Sequence, residues 1–140
     1  MWFSKKQNLP APLAQRTTKA VGDAAEALAL AHLCAAGLKL LHTNYRTPGR
    51  GGGEIDLVMA DKDGTLVFIE VRHRTSASHG GAGASISAVK QRRIVFAARH
   101  YLTRYRTLPP CRFDVVLVNG ALTGDVPPAI EWLRSAFDAF

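Results

Sequence analysis

Two apolar runs, Glu54–Ala60 and Thr65–Arg72, meet through the short connection Asp61-Lys62-Asp63-Gly64-Thr65. That stretch constrains the fold more tightly than any other. Each run has the length and β-branched content of a strand, and Asp63-Gly64 suits a three-residue hairpin loop, a type I turn closed by a glycine in the left-handed region. With Lys62, Asp63 and Gly64 as the loop, Asp61 faces Thr65. Stepping back along both strands then brings Asp56 opposite Glu70. Directly opposed residues have Cβ atoms only ~4.5–5.5 Å apart. Two carboxylates at that distance repel unless protonated or bridged by a cation. Their neighbours Ile55, Leu57, Val67, Phe68, Ile69 and Val71 make free ionisation costlier still. A divalent metal would relieve both problems. The alternative is an ordinary exposed cross-strand pair, which predicts a different register or an intervening arginine. Arg72 shares the face of Glu70, two residues along the strand.

Around this hairpin the remaining elements can be placed. Lys19–Ala36 is rich in Ala and Leu and free of Pro, with Gly37 as its C′ residue, which predicts a helix. Leu38–Tyr45 reads as a short strand with apolar residues on both faces. Gly49-Arg50-Gly51-Gly52-Gly53 is a loop without the G-K-[ST] ending of a nucleotide cradle. Thr75–Ala84, rich in Ser, Gly and His, is expected to be a mobile surface loop. Ser85–Tyr105 has helical periodicity, with Ile86, Val89, Ile94, Ala97, Ala98, Tyr101 and Leu102 toward the core. Lys90, Arg92, Arg93, Arg99 and Arg104 occupy much of its remaining circumference. Arg112–Asn119 is an apolar strand, Gly120–Pro128 a turn region, and Ala129–Leu133 a last edge strand. The order α-β-β-β-α-β-β predicts an α/β fold with a central mixed sheet flanked by helices, in one domain over 20–140 after a flexible basic tail at 1–19.

Composition narrows the partners. Eighteen Lys and Arg against eleven Asp and Glu leave a charge of +7, which favours polyanions, nucleic acid first and an anionic membrane second. No apolar run approaches the ~20 residues of a membrane span. The basic start Met1-Trp2-Phe3-Ser4-Lys5-Lys6 is followed by no apolar stretch, so a cytoplasmic location is expected. Cys34 and Cys111 form no C-x-x-C and read as small buried hydrophobes of a reduced protein. His32, His42, His73, His79 and His100 show no zinc spacing; His73, beside the acidic strand, is the one to follow. Oxygen-only ligands favour Mg²⁺ or Mn²⁺ over zinc. Glu26 is the only acid within Ala24–Ala36, and the pattern alone favours a solvent-facing glutamate there.

Gly53-Glu54-Ile55-Asp56-Leu57 followed by Val67-Phe68-Ile69-Glu70-Val71-Arg72-His73-Arg74 resembles the YraN-like family of bacterial predicted endonucleases, related to archaeal Holliday junction resolvases and restriction endonucleases. The likeness runs from about Gly22 to Phe137. It takes in Glu26, Asn44-Tyr45-Arg46, Lys90, Arg112-Phe113-Asp114, Trp132 and Ala136-Phe137. The resemblance implies the PD-(D/E)-x-K nuclease fold, with metal-binding acids on a central hairpin. It makes Asp56 the first acid and Glu70 the second, and puts Arg72 where the superfamily usually has lysine. Glu26 matches the first-helix acid of resolvase-like members, and Lys90 joins the same basic cluster.

These readings lead to a metal-dependent endonuclease acting on DNA, branched or single-stranded substrates included. Glu26, Asp56 and Glu70 would be the metal ligands for Mg²⁺ or Mn²⁺, and Asp56, Glu70, Arg72 and Lys90 the catalytic set. Arg46, Arg50, Arg74, Lys90, Arg92 and Arg93 would contact nucleic acid. The arginine at position 72 stays protonated and cannot serve as a base, which keeps open a nucleic-acid-binding module of the same fold without useful catalysis. A protein-recruiting adaptor is a third class that no specific feature supports. Resolvase-like relatives act as symmetric dimers, which admits a homodimer, although no exposed apolar stripe demands one.

Overall fold

The computed structural model describes residues 18–75 and 86–139. Residues 1–17 of the expected tail and 76–84 of the expected surface loop lie outside the described residues. The elements follow the order α1 (Thr18–Ala35), β1 (Lys39–Arg46), β2 (Glu54–Ala60), β3 (Leu66–Arg74), α2 (Ala88–Leu102), β4 (Cys111–Asn119) and β5 (Ala129–Phe137). The five strands form one mixed sheet in the order β1-β2-β3-β4-β5, antiparallel except for the parallel pair β3 and β4. A parallel pair needs a crossover, and α2 lies within it. The α/β architecture, a mixed sheet with one helix on each face, is consistent with a restriction-endonuclease-like core.

Each helix seals one face. Ala25, Ala29 and Leu33 of α1 pack on Leu57, Met59, Val67, Ile69, Val116 and Val118. Ile94, Ala97, Ala98, Tyr101 and Leu102 of α2 pack on Ile55, Val58, Leu66, Phe68 and Phe113. The two-residue alternation of β3 follows directly, Val67 and Ile69 facing α1 while Leu66 and Phe68 face α2. Helix α1 stops where expected. Gly37 N–H donates to the Cys34 carbonyl and Leu38 N–H to that of Leu33, a Schellman closure with Gly37 at φ +104°. Helix α2 starts later than its periodicity suggested because Ser87 caps it, its Oγ accepting from Lys90 N–H at 3.1 Å.

The hairpin has the register its turn dictates. Asp61 N–H donates to the Thr65 carbonyl at 2.9 Å, Gly64 has φ +89°, and the pairs run from Ala60↔Leu66 through Met59↔Val67 and Val58↔Phe68 to Leu57↔Ile69.

Four expectations are corrected. First, β1 is an edge strand with only Tyr45 buried, because α1 covers the sheet's interior and leaves Leu40 and Leu41 to solvent. Second, Val89 is exposed rather than core. It lies five residues before Ile94, about 140° around the helix at 100° per residue, away from the buried face. Third, neither cysteine is buried: Cys34 is exposed on α1, and Cys111 is half-buried with its thiol donating to the Pro109 carbonyl. Fourth, β5 continues past Leu133 to Phe137. Ser135, at φ +50°, sits where the β4 pairing shifts, and its N–H donates to Asp114 Oδ1 at 2.9 Å. Asp114 is fully buried and also accepts from Trp132 Nε1 and Arg112 Nε, while Arg112 Nη1 reaches Asp61 at 2.9 Å. The Arg112-Phe113-Asp114 and Trp132 positions thus hold the β4–β5 edge to the hairpin turn.

Candidate functional site

The hairpin ladder ends at Leu57↔Ile69. An unbroken ladder would next set Asp56 opposite Glu70. Instead, Val71 N–H donates to Asp56 Oδ2 at 2.8 Å. The carboxylate therefore takes a backbone donor at the point where β2 and β3 part, and this carries Asp56 to the side of Glu70. Period-two alternation turns Glu70 toward α2. There Lys90 Nζ lies 3.4 Å from Glu70 Oε2, the lysine half-exposed and the glutamate side chain 11% exposed. Glu70, Arg72, Ile86, Ser87 and Lys90 line a cleft of about 390 Å³ at the start of α2.

Burial dominates the electrostatics of this corner. It pushes the Glu70 carboxyl up to about 8, with the Asp56 charge adding to it and the Lys90 ammonium opposing it. Asp56 is also raised, by burial above all and then by Glu54, against the stabilising Val71 N–H, a hydrogen bond with the Glu70 side chain, and Lys90. Glu26, on α1, is half-buried rather than solvent-facing. Burial, then the charges of Asp56 and Asp23, lift it to about 7, moderated by a hydrogen bond with the Asn44 side chain. So Glu26 lies close enough to Asp56 to feel its charge. Still, no group of three His, Cys, Asp or Glu side chains among the described residues converges as a ready-made ion cage. Asp56 and Glu70 come together; Glu26 is their neighbour.

The linkage has a definite sign. Folded Glu70 and Glu26 hold protons up to about 8 and about 7, whereas the unfolded chain releases them near 4.5. Between those limits the native state binds more protons, so stability decreases as pH rises. Asp61, held low by Arg112, and Asp63, held low by the Thr65 N–H, act in the opposite sense but only below the usual 3.8. We expect the melting temperature of metal-free protein to fall steadily from about pH 5 to about pH 8. Melts in a buffer series check this, and a flat or rising profile would show that the acids ionise freely.

The other basic positions are distributed. Arg46 lies 3.6 Å from Glu54 on the strand edge, and Arg50 is exposed in the glycine loop. Arg92 and Arg93 are exposed on α2. Arg74 donates to Asn119 Oδ1 at 2.9 Å, which ties it to β4 rather than to the cleft. His73 is likewise occupied, Nε2–H donating to the Gly120 carbonyl at 2.9 Å. Sequence reasoning missed Glu54 and Asn44. Glu54 stands two residues before Asp56, which period-two alternation could have flagged. Asn44 adopts φ +50°, a conformation asparagine tolerates better than most residues, and only the folded sheet brings it to Glu26.

Comparison with known proteins adds one finding. The model of the uncharacterised protein family UPF0102 matches residues 25–118, a span that includes Glu26, Asp56, Glu70, Arg72 and Lys90. The chain is 66% identical to the UPF0102 protein of Polaromonas naphthalenivorans, with 99% of each chain covered. It is 63% identical to that of Paracidovorax citrulli over 98% of this chain and 97% of the other. A UPF0102 protein of Cupriavidus pinatubonensis is 52% identical, with 91% and 92% covered.

Proposed function

The chain belongs to the UPF0102 family, the YraN-like group that its sequence resembles, and from that premise we propose a divalent-metal-dependent endonuclease of the PD-(D/E)-x-K superfamily, acting on DNA. The observation that carries the reading is the Asp56–Glu70 pair, two half-buried acids side by side on parting strands, with Lys90 and Arg72 at the same cleft. The donor set fits Mg²⁺ or Mn²⁺. Mg²⁺ is commonly held by one or two carboxylates together with water and substrate phosphate, so a third protein acid is not required. Asp56 and Glu70 would hold the ion, with Glu26 reaching it from α1. When bound, such an ion lowers the pKa of a water and neutralises phosphate charge.

This chain's own residues do the rest. The Val71 N–H orients Asp56. Lys90 balances Glu70 at 3.4 Å and marks where a phosphate oxygen would find positive charge. Arg72 cannot take a proton, so its part is to stabilise the charge that develops on phosphorus oxygens. The test is incubation of the purified chain with single-stranded, duplex and branched DNA in Mg²⁺ or Mn²⁺. Cleavage that needs Asp56 is expected; no cleavage of any substrate, or cleavage undiminished in Asp56→Ala, would overturn the reading. Within an active protein, Arg72→Ala should lower the rate by roughly 10²–10³-fold, while Arg72→Lys retains it. An unaltered Arg72→Ala rate would remove the arginine from the mechanism.

A second reading is a nucleic-acid-binding module without hydrolysis. The Lys90 ammonium beside Glu70 favours it, because an internal cation already offsets part of the acid pair's repulsion. Calorimetric titration with Mn²⁺ separates the two: binding that depends on both Asp56 and Glu70 supports the enzyme. Among the described residues no helix is long and apolar enough to cross a membrane. A cytoplasmic location and a homodimer complete the proposal.

A further inference from the structure

Phe96 is 55% exposed at the middle of α2, on the side opposite the buried Ile94, Ala97, Ala98 and Tyr101. A large aromatic ring in water contributes little to folding, so its place needs another reason. On a helix the surface neighbours of a residue lie three and four positions away. For Phe96 these are Arg92, Arg93, Arg99 and His100, every one of them exposed. The ring is therefore encircled by cationic or protonatable side chains.

Two hollows follow this face. One of about 540 Å³ is lined by Gln91, Arg92, Val95, Phe96 and Arg99, with Asp138 as its single acid. A second, of about 630 Å³, shares Arg99 and continues past Thr103 and Arg106 to Leu108, itself 67% exposed. In the other direction α2 begins at the cleft of Lys90, Arg72 and Glu70. The helix alone has 15 residues, roughly 22 Å of this face. Cations and exposed apolar groups share this face, and the cleft of the acid pair lies at the N-terminal end of the same helix.

We propose that the outer face of α2, with the turn that follows it, is a track for single-stranded nucleic acid, with Phe96 as the platform on which a base stacks and Arg92, Arg93, Arg99 and Arg106 following the backbone. Every base has a π-face, so stacking on an aromatic ring within a positive groove serves unpaired strands without sequence preference. A duplex keeps its bases stacked on each other and could use only the arginines. A second copy of the chain is disfavoured as occupant. A two-fold contact through this face would set Arg92, Arg93 and Arg99 against their own counterparts. The inference rests on the nucleic-acid reading of the site and names the form of its substrate.

The experiment measures anisotropy of fluorescein-labelled oligo-dT and of a hairpin duplex with the full chain, in EDTA so that no cleavage intervenes. Phe96→Ala is expected to weaken oligo-dT binding by about 5- to 100-fold while duplex binding changes less than about twofold. Phe96→Trp should retain the affinity and add an emission signal that oligo-dT quenches. Because the ring is solvent-exposed, Phe96→Ala should melt like the unsubstituted chain, so a binding loss is not a folding loss. Unaltered oligo-dT affinity in Phe96→Ala would overturn the proposal. So would equal weakening for both DNAs, or preferential binding of a labelled acidic, phenylalanine-bearing peptide at this face. Phe96-dependent binding in a chain that never cleaves would sink the nuclease reading alone; cleavage with no Phe96 dependence would sink the track alone.

Discussion

Asp56→Asn will lower metal-dependent cleavage by more than about 100-fold and, in the same substitution, raise the melting temperature of the metal-free protein. The first effect follows from the ligand role. Losing only an outer partner of a metal ligand costs roughly 10–100-fold, and a direct ligand contributes more. The second follows from burial. Two acids share a corner in which both are pushed above their ordinary values, chiefly by desolvation. Replacing one by a neutral amide removes the like charge. The amide oxygen can still accept the Val71 N–H that now reaches Asp56 Oδ2 at 2.8 Å. Glu70 then keeps Lys90 as its counterion without an opposing carboxylate. Opposite movement of activity and stability is the signature of a site held under electrostatic strain for function. Mg²⁺ should stabilise the unsubstituted chain near pH 8, where the acids ionise, and leave Asp56→Asn unmoved. A variant that melts lower than its parent in EDTA would mean the pair is structural. One that cleaves normally would remove Asp56 from the chemistry.

Gly53→Ala is expected to destabilise the fold by about 1–3 kcal/mol, the range for forcing an extra methyl into a packed interior. A Cβ at this position would overlap the backbone carbonyl oxygen of Arg93 and come within 2.9 Å of its carbon and 3.1 Å of the Ala97 methyl. Neither side can yield easily. Gly53 N–H donates to Thr47 Oγ1 at 2.8 Å and its carbonyl accepts from Thr47 N–H at 3.1 Å, which closes the glycine loop. On the other side Ala97 and Ile94 are fully packed against the sheet. The strain therefore falls on the position of α2, the helix that brings Lys90 to Glu70. Urea unfolding gives the stability change, and a variant within about 0.5 kcal/mol of its parent, the usual span for neutral surface changes, would show that the helix yields freely. Loss of Mn²⁺ affinity alongside the stability would connect this close approach to the geometry of the acids.

The hairpin was readable because its information is local. Asp63-Gly64 selects the turn, the turn sets the register, and alternation assigns faces, so the pairing as far as Leu57 and Ile69 needs no distant contact. The helical span of α1 and its Gly37 closure were legible for the same reason. Other features were not. Leu40 and Leu41 look like core residues until β1 is seen to be an edge strand. Val89 has the right composition for a buried face, but it lies about 140° around α2 from Ile94 and points outward. In β5, polar Arg134 and Ser135 read as the end of a strand, whereas the buried Asp114 carries the bulged backbone on to Phe137.

The same division runs through the site. The amino-acid sequence by itself determined the acid pair, its apolar surroundings and the basic character of α2, since these follow from turn chemistry, period-two alternation and composition. Only the tertiary structure decided that β2 and β3 part at Asp56, that Glu26 approaches through Asn44, that Lys90 meets Glu70, and that Phe96 stands among arginines facing water. The first three relations join residues far apart in the chain, and the last depends on which side of α2 meets the sheet. They depend on how two helices dock on opposite faces of one sheet, and no local pattern encodes that docking.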